Sequence, residues 1–555
     1  MTTPATLTSG NTRPDNVRLG PGAMQNWSDL KHHPAGASAA HRELIQQVLR
    51  PHYRVAVVGP HALDLITGIA PQVAHLSVIT RSIPDAVVIG RALAEYAAAD
   101  VLCASAAALT EQPEPYDVVI ALDDLARVWS LESEPMTWAK VYDGVRRLLH
   151  PGGTLLLGVE NELGLHRLTS LRSRYTSDRD EDWSVTATFD ATRPRSAQAL
   201  AELTDWESVQ VLGALPTWQE QTVLVSNPDE LTPQMSTVLG AVTLGSTAFR
   251  RVGADPTRVT RAAVLSGRLA EFSSGWVLLA GPTGSAAVDG VRIIADDAAG
   301  RVVTYREEGG QVVRRIAGSP DVAMTVGPDS QSLAGVALDA CAGQDLTGLR
   351  VLLTRLREQL SEFSNDGVLP AQFADPRLDN ILIDGSTLQM LAPADADRDL
   401  DDATWAALAD LVLIIRARGS RHPWPVATDD ATMLATLGAM VGLPADAAPH
   451  APALSTEDPA ALPAHDVPGL LAVIDRLTDT NAALASRSRW FEERLNVRER
   501  EMRNRAERHS QELTSAQKQQ RILQDAAEDL RRSITYRAGA ALINPIRRFS
   551  GSRRP

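Results

Sequence analysis

Residues 373–385 read FADPRLDNILIDG, which sets a carboxylate, Asp375, five positions before a carboxamide, Asn380, at the entry to an apolar run that ends on Gly385. A carboxylate can accept the proton of a hydroxyl, and a carboxamide oxygen can hold a cation or orient a donor. A second set of titratable groups lies earlier. Asp123 and Asp124 end the run YDVVIALDD, and Glu160, Glu162 and His166 follow GTLLLGV. Gathered at one cleft, such groups can serve as bases toward a hydroxyl acceptor. The plain alternatives are an ordinary strand with an acidic turn for the first set and solvated loop residues for the second.

Both sets need strands to deliver them. RVAVV at 54, HLSVI at 75, DVLCA at 100, YDVVIAL at 116 and GTLLLGV at 153 are short apolar runs separated by segments long enough for helices. That alternation predicts an α/β domain, a parallel sheet covered on both faces, over residues 41–228, with TVLVSN at 222 as a closing strand. Residues 229–443 begin helical and then show the runs GWVLLAG, GVRIIAD and GRVVTYREEGGQVVRRIAG, where Gly309-Gly310 signals a hairpin. Helices follow at 349 and 404, so a small β-rich lobe and a helical lobe are expected.

The ends differ from this middle. Residues 1–40, rich in Thr, Pro, Gly, Asn and Ala, predict a disordered or loosely attached leader. Residues 444–468 carry six prolines and no periodicity, as a linker does. From Ile474 to Ile534, apolar and polar seam positions alternate three- and four-residue steps with one extra four-residue step at Met502 to Ala506. That spacing predicts a coiled coil over 469–534, with a long single solvated helix as the alternative. The tail 535–555 places Arg537, Ile546, Arg547, Arg548 and Phe549 in a basic amphipathic segment. Such a segment can lie on an anionic membrane surface, where each arginine adds about 1 kcal/mol, dock an acidic partner, or stay solvated.

Charge and cysteines bound the rest. The net charge of −14 argues against general nucleic-acid binding. Cys103 and Cys341 are far apart and in no metal-ligand spacing, so no metal site or disulfide framework is expected and a reducing, cytoplasmic setting follows. The opening residues lack an apolar core of the secretory kind, and no run approaches a membrane span.

RRLLHPGGTLLLGVENELG, residues 146–164, ends a helix in leucines, turns at Pro151 and Gly152-Gly153 and enters an apolar strand. With YDVVIALDDLARV before it, this resembles the later half of a class I S-adenosylmethionine-dependent methyltransferase domain. The resemblance implies a Rossmann-like fold with the cofactor across the carboxyl ends of the first strands. It assigns the cofactor turn to VVGPHALDL, where Gly59 is kept while His61 and Leu63 stand in places the family gives to glycine. Thr80 and Arg81 replace the ribose-binding acid, Ser105 takes the adenine side, and Asp123 and Asp124 take the cofactor and substrate edge. The implied cofactor-binding residues are Gly59, His61, Thr80, Ser105 and Asp123. Asp124, Glu160 and His166 are the implied catalytic ones.

ADPRLDN, followed by ILID and Gly385, resembles the catalytic loop of kinase-like folds, in the aminoglycoside-phosphotransferase branch, over roughly 270–440. Asp375 and Asn380 match that pattern. The second metal-binding Asp would fall at Ala392 and Pro393, and Asp395 comes two residues late. No lysine stands between Lys140 and Lys518 to grip a phosphate, and Arg314 or Arg315 is a planar fork rather than a point charge. A degenerate kinase-like domain is therefore expected, binding neither ATP nor a metal.

A methyltransferase-like domain, a kinase-like domain, a coiled coil and a basic tail, in that order, resemble the layout of bacterial O-antigen chain-terminating methyltransferase–kinases. The resemblance implies a homo-oligomer through the coil, a glycosyltransferase partner, and attachment to the inner face of the plasma membrane. Two functions stay open. One is S-adenosylmethionine-dependent methylation of a hydroxyl on a cell-surface glycan. The other is a non-catalytic scaffold of two degenerate enzyme folds on a stalk.

Overall fold

The computed structural model describes residues 13–539 except 26, 31–33, 112–113, 131, 170–189, 245–255, 283–289, 298–299, 328, 386, 419–421, 426–427, 445–447, 450–466 and 536. It divides into two units, Met1–Thr480 and Asn481–Pro555.

In the first unit, β1 (Val17–Leu19), α1 (Ala39–Val48), β2 (Arg54–Val58), α2 (Leu63–Ile69), β3 (His75–Thr80), α3 (Ile83–Ala92), β4 (Ala99–Cys103), β5 (Tyr116–Ala121), α4 (Trp138–Arg146) and β6 (Leu149–Glu160) build a sheet ordered β1-β4-β3-β2-β5-β6. Every neighbouring pair in it is parallel. The helices start where the sequence caps them: Ser38, Ser82 and Thr137 each accept a backbone N–H of the first turn. Residue alternation along β2 explains the two covered faces. Val55 and Val57 pack with Leu44, Ile45 and Ile66 on one side, and Ala56 and Val58 pack with Trp138, Val141 and Val145 on the other.

After the short helices α5 (Leu165–Thr169) and α6 (Ala197–Glu202), the sheet turns antiparallel through β7 (Ser208–Leu215), β8 (Val223–Ser226), α7 (Pro233–Leu244), α8 (Pro256–Leu265), α9 (Leu269–Phe272) and β9 (Gly275–Gly281). β9 lies between β6 and β7, antiparallel to both, so GWVLLAG belongs to the first sheet and residue 228 is no edge to it. β8, expected to close the domain, instead pairs β7 and hands the sheet on to β10 (Val291–Asp296), β11 (Val302–Glu308), β12 (Gln311–Ile316) and β13 (Val322–Met324). The predicted hairpin is present, with Glu308 opposite Gln311 and Gly309 and Gly310 at φ 58° and 81°. The expected small lobe is thus the far edge of one 13-stranded sheet. Buried apolar side chains on β8, β10 and β11 pack against α7, where an isolated lobe would have exposed them.

The helical part has its own core. α10 (Leu333–Ala342), α11 (Leu346–Phe363), α12 (Leu400–Arg418) and α13 (Asp430–Met440) bury Leu338, Leu353, Leu411 and Leu437 together. β14 (Gln331–Ser332), β16 (Ile381–Asp384) and β17 (Thr387–Met390) form a small sheet beside it, and β15 (Val368–Leu369) pairs β18 (Arg398–Asp399). Both cysteines are buried and free.

The leader differs from expectation. Residues 1–12 lie outside the described residues, but β1 joins the sheet edge beside β4 and Met24 bridges Ser82. Backbone groups carry this order, with Gly20 N–H donating to Cys103 O at 2.8 Å and Met24 N–H to Arg81 O at 2.7 Å. Main-chain pairing of this kind needs no apolar periodicity, which is why composition missed it.

Most of 444–468 lies outside the described residues. Beyond it α14 runs from Val467 to Arg532. Arg537 is exposed, and Ile546, Arg547, Arg548 and Phe549 lie outside the described residues. Among the described residues, no helix is long and apolar enough to cross a membrane.

Candidate functional site

The strand order reverses direction between β2 and β5, and the crevice outside the carboxyl ends of such strands is where open α/β sheets bind ligands. Gly59, Thr80, Ser105 and Asp123 lie at or just past the carboxyl ends of β2, β3, β4 and β5. Gly59 ends β2 in a left-handed turn, φ 88°, and His61 follows it into the interior. The His61 Nε2 accepts the Leu122 N–H at 3.0 Å, so the ring proton is on Nδ1, which donates to Gly59 O at 3.2 Å. Burial, with Arg127 adding, pulls the His61 pKa down to about 4. The imidazole is a neutral brace across the switch point.

Arg81, at the end of β3, is fully buried, and it binds Asp29 through Nε at 3.0 Å and Nη2 at 2.7 Å while Nη1 donates to Trp129 O at 2.7 Å. Burial pushes the Asp29 carboxyl up, and the Arg81 charge and hydrogen bonds more than reverse it, leaving it below the usual carboxylate range. Asp85, at the start of α3, accepts from Ser28 Oγ and from the Asp29 and Leu30 N–H groups. Ser105 N–H donates to Pro21 O at 2.9 Å, and Asp123 accepts the Ala35 N–H at 2.7 Å and both Arg127 Nε and Nη2. Gly36 sits so close that a Cβ there would lie 2.5 Å from the Leu122 Cβ. Segments 20–25, 27–30 and 34–36 therefore touch the ends of β4, β3 and β5 in turn. Chain from the leader lines the groove where the resemblance places a cofactor.

The catalytic candidates are gathered, and they are engaged with one another's neighbourhood. Asp124, at φ 56°, accepts from Leu125 N–H and Trp138 Nε1 on one oxygen and from Glu160 N–H and Arg193 Nη2 on the other. Glu160 is buried, and its Oε1 meets His166 Nε2 and Arg167 Nε, each at 2.9 Å. Glu162 is exposed near Arg193 and Arg195. Two arginines that sequence reading passed over, Arg127 and Arg193, thus neutralise the acids it chose. Their only sequence signal was proximity for Arg127, four residues after Asp123; Arg193 offered none.

The end of β3, where the resemblance looks for a ribose-binding carboxylate of an S-adenosylmethionine site, carries the buried Arg81 guanidinium instead. Gly36 packs on Leu122 after β5, and the His61 ring joins that residue to Gly59 at the β2 turn.

The loop of 375–395 forms the second cleft. Asn380 donates Nδ2 to Asp375 O at 2.9 Å and to Ala392 O at 2.7 Å and accepts the Ala392 N–H at 2.8 Å, so its amide clasps the loop to the bend that follows β17. Asp375 is held by Arg377 Nε and Nη2, and Arg377 Nη1 reaches Asp379 at 3.4 Å. Asp395 pairs with Arg301, which also holds Asp297. Arg314 gives its Nη1 to Leu391 O at 2.8 Å and to Met390 O at 3.3 Å, a half-buried clasp onto the backbone after β17. A cavity of about 240 Å³ remains between β10, β11, α7 and this loop, lined by Asp296, Asp297, Tyr305, Arg377 and Asp379 among others. Burial raises the Asp379 carboxyl, and raises Asp296 to about 6 although Ala39 and Ala40 N–H groups donate to it. Among the described residues no cluster of three metal-ligating side chains occurs.

No family model and no curated protein matches the chain. Among solved structures it is similar to the N-methyltransferase NodS from Bradyrhizobium japonicum WM9 in complex with S-adenosyl-L-homocysteine, at 21% identity over 22% of this chain and 64% of that one, with a TM-score of 0.19. It is also similar to an S-adenosylmethionine-dependent methyltransferase from Thermotoga maritima, at 13% identity over 44% of this chain and 87% of that one, with a TM-score of 0.24. The neighbours are methyltransferases, and likeness at this level bears on no residue's role.

Proposed function

We propose that the chain is a non-catalytic scaffold, built on a methyltransferase-like sheet and a kinase-like loop whose ligand-facing groups hold the fold instead. The observation that supports this is the buried Arg81–Asp29 pair, which joins the leader to the strand end where the resemblance looks for a ribose-binding carboxylate. An arginine so desolvated is not a spare binding group, because exposing it means breaking its bidentate partner away. In the second cleft the same part is played by the Asn380 clasp and by Arg377 and Arg301.

The setting we propose is assembly of a cell-surface glycan, with a glycosyltransferase partner or an anionic membrane engaged by the basic tail and with copies joined along the stalk. Its support is the order of the segments and the seven arginines, without an acid, from Leu530 to Pro555. A methyltransferase reading is favoured by one thing, the carboxylates gathered at the ends of β5 and β6. It requires the leader to leave the groove.

Ligand-dependent stability separates the two. A ligand that binds the native state raises its melting temperature by mass action. The scaffold reading expects no shift of the full chain with millimolar S-adenosylmethionine, S-adenosylhomocysteine or magnesium-ATP. It also expects sedimentation with phosphatidylglycerol vesicles, or binding to a purified glycosyltransferase, that is lost on truncation after residue 534. A saturable shift with either cofactor overturns it.

A further inference from the structure

α14 is 66 residues long, which at 1.5 Å per residue is about 100 Å of helix. Along it Leu484, Phe491, Leu495, Met502, Leu513, Leu523 and Leu530 are each more than half exposed. They recur at the alternating three- and four-residue steps that keep a stripe on one face, so a helix of this length leaves an apolar seam in water. Charge beside the seam says what covers it. With Asn481, Ser488 and Leu495 as first seam positions and Leu484 and Phe491 as second ones, Arg487 and Arg494 precede the seam, and Glu492 and Glu499 follow it.

We propose that the occupant is a second copy of this chain, in a parallel, in-register, two-stranded coil. In that arrangement Arg487 faces Glu492 of the second copy and Arg494 faces Glu499, twice over by symmetry, because the position before the seam in one heptad meets the position after it in the next. Two copies of this segment meeting antiparallel set arginine against arginine and glutamate against glutamate. In the seam, leucine fills the second position at 484, 523 and 530 and Phe491 another, Arg498 and His509 are polar second positions, and Asn481 and Gln520 occupy first positions, where a polar side chain specifies register and the number of strands at some cost in stability. Within one helix these charges have only loose partners. Arg494 lies over the Trp490 ring at 4.6 Å and Glu499 meets Arg503 at 3.2 Å on the solvent side. A parallel pair also delivers both arginine-rich tails to the same end, so a surface that one tail holds weakly is held by two.

The inference rests on the stalk having the joining role proposed above: a monomeric chain that binds no cofactor would sink the joining of copies and leave the non-catalytic reading standing. Sedimentation equilibrium of the full chain is expected to give a dimer mass. Charge reversal by Arg487→Glu with Arg494→Glu is expected to raise the dissociation constant at least tenfold. Mixing that variant with a Glu492→Arg, Glu499→Arg chain is expected to restore a mixed dimer. Ser488→Cys is expected to cross-link the pair on mild oxidation, since Cys103 and Cys341 are buried and do not compete. A monomer or trimer mass, charge reversal without effect, or failure of Ser488→Cys to cross-link overturns the proposal.

Discussion

At the switch point between β2 and β5 a distant stretch of chain lines the groove, with Asp29 reaching Arg81 across 52 residues of sequence. Under β10 and β11 the loop 375–395 is instead tied down by close neighbours, Arg377 on Asp375 and Asn380 on Ala392, and a cavity of about 240 Å³ stays open. The contrast teaches that a cleft can be filled by insertion of distant chain or held by internal pairing. Insertion builds the leader into the core, so breaking it is a stability event. Internal pairing leaves room, so breaking it is a local one.

The largest effect should come from the inserted side. Arg81→Ala leaves the Asp29 carboxylate buried without its bidentate partner, and removing one member of a buried pair costs about 3–5 kcal/mol. Urea denaturation of the full chain should show that loss, and the double change Arg81→Met with Asp29→Leu should recover most of it. If Arg81→Ala is nearly neutral, the leader is not part of the core.

Acid should act on the same region through His61. Its neutral ring, held at about 4 against an ordinary 6.5, takes no proton while the unfolded chain already does. Its contribution to stability is therefore complete above about pH 6.5 and drains away as pH falls toward 4, on the order of 3 kcal/mol in all. His41, held at about 3 by burial, has the same sign. Asp296, raised to about 6, has the opposite one, since the unfolded chain gives up that proton near 3.8. The stability gap between the wild type and His61→Gln isolates the single group. It should narrow as pH drops through this window, and a constant gap would mean that His61 is not buried and neutral.

The second cleft should respond least. Asn380→Ala strips the Ala392 N–H of its acceptor, at a cost of about 1–3 kcal/mol. Hydrogen exchange should localise the loosening to the loop and to β16 and β17, with the β2 to β6 strands unchanged. A global loss of protection would make the loop as central as the leader and erase the contrast.

What the sequence made legible followed from periodicity. The parallel strands are where RVAVV, HLSVI and YDVVIAL placed them, and Gly309-Gly310 makes its hairpin. The local groups of both clefts were legible too, because Asp123 and Asp124 follow β5 and Asn380 precedes β16, at strand ends that apolar runs announce, with Asp375 five residues ahead of Asn380. Long-range pairing was not. Met24, Asp29 and Ala35 meet the ends of β3 and β5 through backbone amides and one buried carboxylate, in a segment whose Thr, Pro and Gly content resembles that of disordered chain. GWVLLAG was read correctly as a strand and assigned to the wrong sheet, since an apolar run carries its own pattern and not the identity of its neighbours.

The central claim is that the leader and the Arg81–Asp29 pair stand where a cofactor would bind, and a calorimetric titration of S-adenosylmethionine into the full chain tests it most directly. The account predicts no saturable heat up to millimolar ligand, for the wild type and for Asn380→Ala alike. Saturable binding at micromolar concentration, with one ligand per chain, would contradict it and return the β2–β5 crevice to the methyltransferases.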